Sequence, residues 1–232
     1  MSIKRKARTV VAALIVGGVS AIAAQAASAA TPACSATGAT CLSVFSPELG
    51  TYASPNFVEH VFGGVASIGT PTGLTTASSS DPSEDFINPL PGETVADFYA
   101  KGLVSAAVNL HYGTQRASQL EYSPDGIKSG LCVAVATDPF QGEPITLQPC
   151  TVPGVTVFIV DTMDSPATAA MGLFPLVSGA TEDFAHPFTM SYPRHPNTAK
   201  TLPPIRLRHL HFDGPDRTVP ANQLWGVASG IQ

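Results

Sequence analysis

The chain has 232 residues, with 12 Lys and Arg against 17 Asp and Glu, and charged residues make up only 12% of it. That length suits one domain with a sizeable core. The acidic balance and the lack of basic clusters argue against nucleic acid or an anionic membrane as a partner.

The first thirty residues read as a secretory signal peptide. Lys4, Arg5, Lys6 and Arg8 form a basic start, Thr9 to Ala24 is an apolar core, and Ala27-Ser28-Ala29 is a small-residue exit. The apolar core is short for a membrane anchor and is broken by Gly17 and Gly18. Pro32 just ahead of Ala33 and Cys34 does not suit a lipoprotein anchor. The expected mature domain, residues 31–232, keeps eight of the cations and all 17 acids, a net charge near −9. It is expected to be secreted and extracellular, with no membrane association once the leader is gone.

Four cysteines allow three pairings. Cys34–Cys41 and Cys132–Cys150 are favoured because each closes a short local loop. The second would contribute about 3 kcal/mol in the chain-entropy model. The chain has no Cys-x-x-Cys, and exported cysteines oxidise, so neither a metal nor any other cofactor is expected.

Along the chain, strands are expected at Cys41–Phe45 and Phe57–Phe62. A helical run follows over Glu93 to Ala107, interrupted by Gly102. Further strands are expected at Leu103–Leu110, Leu131–Val135, Ile145–Leu147, Val155–Val160, Phe188–Tyr192 and Ile205–Phe212. Pro, Gly, Asp and Ser punctuate these short runs, which is the pattern of an all-β domain.

A threefold echo runs through the strands. Pro-Thr-Gly-Leu-Thr-Thr at 71–76 precedes Asp-Pro-Ser-Glu-Asp-Phe-Ile at 81–87. Pro-Ile-Thr-Leu-Gln-Pro at 144–149 precedes Val-Thr-Val-Phe-Ile-Val at 155–160. Pro-Ile-Arg-Leu-Arg-His at 204–209 precedes Ala-Asn-Gln-Leu-Trp-Gly-Val at 221–227. Each copy sets a leucine ahead of a large aromatic, as Leu74–Phe86, Leu147–Phe158 and Leu207–Trp225.

Gly-Leu-Cys-Val-Ala-Val (130–135) with Pro-Ile-Thr-Leu-Gln-Pro-Cys (144–150), and separately Ala-Asn-Gln-Leu-Trp (221–225), resemble the ricin-type B-chain lectin family. The resemblance implies a single β-trefoil domain over residues 31–232, with repeats near 41–90, 103–162 and 171–228 and long loop insertions. It also places Trp225, preceded by Gln223, in the core, with Phe86 and Phe158 as its counterparts. A β-sandwich is the alternative that the strand pattern alone would fit.

The resemblance further implies a sugar site in each repeat. An Asp two residues after the first Cys and an Asn before Gln-x-Trp would bond sugar hydroxyls, while an aromatic on the next strand stacks on the ring. In the second repeat these places fall on Ala134, Val155 and Gln148, so that site is lost. In the first they fall on His60, Ser83 and Thr75, and in the third on Met190, Asn222 and Arg208. Asn222, His60 and nearby Tyr52 are therefore the candidate ligand residues.

Other constellations read as structure. His209 and His211 share a strand face, with Asp213, Asp216, His186 and His195 near them in sequence, but Arg206 and Arg208 crowd the same strand. No Gly-x-Ser-x-Gly elbow is present. The adjacent acids of Ser-Glu-Asp-Phe (83–86) and Thr-Glu-Asp-Phe (181–184) would point to opposite faces of a strand. The serine run at 78–83 lacks the glycines and lysine of a phosphate loop. The expected function is a secreted lectin-like binding module for an extracellular glycan through a non-standard site. The alternative is a protein-binding or inhibitory trefoil that contacts a secreted protein through segments such as 88–100 or 193–203. A hydrolase ranks behind both, and no enzyme activity is expected.

Overall fold

The computed structural model describes residues 41–48, 57–78, 80–193, 204–214 and 217–229. The expected signal peptide, Cys34 and Tyr52 lie outside the described residues. The first repeat supplies β1 (Leu42–Phe45), β2 (Phe57–Val61), β3 (Thr72–Thr76) and β4 (Phe86–Ile87). The second supplies β5 (Arg116–Ser118), β6 (Glu121–Tyr122), β7 (Leu131–Ala134), β8 (Thr146–Pro149) and β9 (Phe158–Val160). The third supplies β10 (Leu173–Phe174), β11 (Leu176–Ser178), β12 (Phe188–Ser191), β13 (Arg206–His209) and β14 (Trp225–Ser229). Pro175 separates β10 from β11 because it has no N–H to continue the ladder.

The outer strands of the repeats close a ring. β1 pairs with β4, β4 with β6, β5 with β9, β9 with β11, β10 with β14, and β14 returns to β1. The inner strands form three hairpins, β2–β3, β7–β8 and β12–β13. A ring of outer strands capped by three hairpins is a β-trefoil. Two stacked sheets with free edges, as in a sandwich, would not close this way.

The hairpins meet at the pseudo-threefold axis through backbone bonds that run in a circle. Thr72 N–H donates to Ile145 C=O at 2.9 Å, Ile145 N–H to Ile205 C=O at 3.1 Å, and Ile205 N–H to Thr72 C=O at 3.1 Å. These three residues each follow the proline of one copy of the echo. The leucines Leu74, Leu147 and Leu207 and the aromatics Phe86, Phe158 and Trp225 are fully buried in one core. Cys132 is bonded to Cys150 across β7–β8, 18 residues apart. Cys41 is buried and also disulfide-bonded.

One expected strand is a helix. Leu103–Leu110 does not form a strand, and residues there fold into α2 (Ala106–Tyr112). Ser105 caps it by accepting from Val108 N–H at 3.2 Å, and Val108 and Tyr112, four residues apart, are its buried face. The preceding helical run survives only as α1 (Val95–Ala100), with Thr94 and Asp97 forming a capping box. Gly102, at φ 72°, turns the chain out of it. This helical hairpin packs Val95, Phe98, Val108 and Tyr112 on the barrel residues Val157, Ile159 and Val177. It is inserted between β4 and β5.

Candidate binding cleft in the third repeat

The Asn-Gln-Leu-Trp segment holds the β12–β13 hairpin onto the barrel. Trp225 is buried and its Nε1–H donates to Met190 C=O at 3.0 Å. Gln223 clamps the chain beyond β13: its Oε1 accepts from His211 N–H and its Nε2 donates to His209 C=O, both at 2.8 Å. Asn222 is also buried, and its Nδ2 donates to Tyr192 C=O at 2.8 Å and to Ser191 Oγ at 3.2 Å. Glu84, at the place of Gln223 in the first repeat, accepts from Ser78 N–H at 3.0 Å and so performs the same clamp with a carboxyl group. Its burial raises its pKa to about 8.

Outside this framework lies an open cleft of about 660 Å³. Tyr192 and Asn222 border it, and Gln141, Asp183, His186, Arg208, His209 and His211 supply its polar rim. His209 is fixed from three directions. Its ring stacks on Phe188 with centroids 4.1 Å apart, its Nδ1–H donates to His186 C=O at 2.6 Å, and its backbone N–H donates to Gln141 Oε1 at 2.8 Å. A carbonyl can only accept, so the Nδ1 atom carries a proton and Nε2 is left for other partners. Asp183 Oδ1 accepts from Ala185 N–H at 2.9 Å and His186 N–H at 3.1 Å. The His186 amide is the leading cause holding the Asp183 carboxyl below its usual range. His211 Nε2 lies 3.1 Å from Asp213 Oδ1.

Gln141 reaches the cleft from the second repeat. The β7–β8 loop is pinned on β13 by Gly142 N–H to Leu207 C=O at 2.8 Å and by Arg206 Nη1–H to Gly142 C=O at 2.6 Å. The side chain of Arg208, two residues on, is exposed and makes no hydrogen bond or ion pair with a described residue.

The strand register corrects one sequence assignment. Ala134 pairs with Thr146, His60 with Gly73 and Ser191 with Arg206, each one residue before the buried leucine of its copy. Ser191, and not Met190, therefore occupies the position of the lost aspartate in the third repeat. Met190 faces Leu207 and is fully buried. Arg208, Gln148 and Thr75 do share one position, paired with Thr189, Cys132 and Val58.

Of the candidate ligand residues, Asn222 and His60 lie in different repeats, and Tyr52 is outside the described residues. Asn222 belongs to the cleft, whereas His60 sits on β2 in the first repeat, its ring edge-on to Phe62 at 4.9 Å. Burial lowers the pKa of His60, and Asp81 partly offsets that. Sequence reasoning overlooked Gln141, which has no counterpart in the threefold pattern. His186 drew notice there only as a metal ligand. Among the described residues no three His, Cys, Asp or Glu side chains gather as a metal site. The adjacent acids Glu84 and Asp85 are tied to different backbone amides, those of Ser78 and Asp125, so they do not face one bond.

No family model matches the chain, and no curated protein matches it. Among solved structures, the designed threefold-symmetric protein ThreeFoil aligns with 81% of this chain and 97% of its own, at 12% identity and a TM-score of 0.49. A mosquitocidal holotoxin aligns over 83% of this chain and 17% of its own, at 7% identity and a TM-score of 0.49. A Caenorhabditis elegans protein of unknown function aligns over 89% of this chain and 99% of its own, at 10% identity and a TM-score of 0.42. The trefoil assignment stands on the strand pairing described above.

Proposed function

We propose that this protein is an exported, ricin-type lectin-like binding module that holds a carbohydrate in the cleft of its third repeat. The disulfide between Cys132 and Cys150 suits an oxidising compartment, and among the described residues no helix is long and apolar enough to cross a membrane. The carrying observation is the fixed polar rim, with His209 held from three directions above the Asn222–Gln223 clamp. A cleft of this size admits one or two sugar rings. Hydrogen-bonding side chains whose positions are already determined lose little entropy on binding.

The test is a glycan and polysaccharide binding screen of residues 31–232 with the disulfides formed. His209→Ala is expected to weaken a hit at least tenfold, and His60→Ala is expected to leave it unchanged. Loss of the hit in the His60 variant alone would move the site to the first repeat. No binding by folded protein at millimolar glycan would end the carbohydrate reading.

One observation favours a protein partner instead. The α1–α2 hairpin exposes Leu110 at 90% and Tyr99 at 44% of their surface. If a secreted protein co-purifies and is lost with Leu110→Ser, the protein-binding reading holds.

A further inference from the structure

We propose that the third-repeat cleft selects sugars that carry a carboxylate, with the Arg208 guanidinium as the group that binds it. The inference rests on the carbohydrate reading above and assigns the chemical class of its ligand.

Many of the polar atoms around the cleft are already engaged within the protein. Asn222 Nδ2 and both polar atoms of the Gln223 side chain are engaged within the framework. The Tyr192 hydroxyl accepts from Ser46 Oγ at 2.6 Å and donates to Ala221 C=O at 2.9 Å. Gln141 Oε1 is taken by the His209 amide, which leaves its Nε2 donor. Asp183 is turned back on its own loop by two amides and the His186 ring. What remains for a ligand includes the donors of the Arg208 guanidinium and Gln141 Nε2, the open His209 Nε2, and the unpartnered but buried Asn222 Oδ1. Of these groups only the Arg208 guanidinium carries a permanent charge, and that charge is matched to an anionic group on the ligand.

Arg208 differs from its neighbour in a way that isolates its role. Arg206 and Arg208 point to the same side of β13, opposite the buried Leu207. Arg206 is half-buried and committed to Gly142 C=O, whereas Arg208 is exposed at the cleft with no described partner. The equivalent positions in the other repeats hold the neutral Thr75 and Gln148. The guanidinium is planar and presents paired N–H groups that match the two oxygens of a carboxylate.

The experiment is calorimetric titration of residues 31–232 with oligomers of galacturonate, glucuronate and mannuronate, each compared with its uncharged methyl ester. At least one acid is expected to bind about tenfold more tightly than its ester, a preference that shrinks as salt is raised. Arg208→Gln is expected to erase most of that preference at an unchanged melting temperature, and Arg208→Lys to retain part of it. Equal binding of acid and ester would overturn the charge inference and leave the carbohydrate reading standing. An acid preference that persists in Arg208→Gln would also overturn it. No binding of any acid or ester would overturn the inference, and the screen of neutral glycans would then decide the broader reading on its own.

Discussion

At the residue scale the most unusual side chain is Glu59. It pairs with Leu74 on β3, as Val133 pairs with Leu147 and Met190 with Leu207, so a carboxyl group occupies a place that is apolar in the other two repeats. It is fully buried, and neither of its oxygens has a hydrogen-bond partner among the described residues. Desolvation raises its pKa to about 8, with the Thr72 side chain acting in the opposite direction. The folded protein thus keeps a proton that the unfolded chain releases at its ordinary value of 4.5. Stability from this group is complete below that value and is lost as the pH rises through about 8. Glu84 acts in the same direction, and His60, whose pKa is lowered, acts in the opposite one. Thermal unfolding measured between pH 5 and 8 should show stability falling as pH rises. Glu59→Gln should flatten that slope, and Glu59→Val should raise the melting temperature most at pH 8.

At the element scale, close packing explains a glycine that periodicity does not. Gly226 pairs with Phe45 across β14 and β1, and a Cβ there would lie 2.1 Å from the Phe45 ring. Gly226→Ala should cost about 1–3 kcal/mol by overpacking. Adding Phe45→Leu should recover part of the loss, as read by denaturant unfolding of both variants. The element that sequence reading mistook, α2, shows how local signals compete. Leu103 to Leu110 is apolar enough for a strand, but the Ser105 cap and the four-residue spacing of Val108 and Tyr112 favour a helix. The Leu–aromatic copies were legible because a buried strand and its turn are short and contiguous.

At the scale of the whole molecule, stability depends on closure. The ring of outer strands leaves few open edges, and the circular bonds among Thr72, Ile145 and Ile205 tie three distant segments at one point. The Cys132–Cys150 bond crosses one hairpin of this assembly. Replacing both cysteines with serine should cost about 3 kcal/mol in the chain-entropy model and lower the urea midpoint without changing the fold. An unchanged midpoint would mean that the β7–β8 register alone holds that hairpin.

The all-β class and the three Leu–aromatic copies are readable in the sequence, which also favours Cys132–Cys150 among three pairings and, through its family resemblance, a trefoil over a sandwich. Each of these signals sits within one short stretch of chain. The cleft comes from long-range contacts. It joins Gln141 to His209 across 68 positions and His186 to His209 across 23, contacts that no periodicity records. The tertiary structure also decided that Ser191, and not Met190, stands beside Asn222. A one-residue shift in register turns a side chain from the core face to the solvent face, and only the pairing of β12 with β13 sets that register.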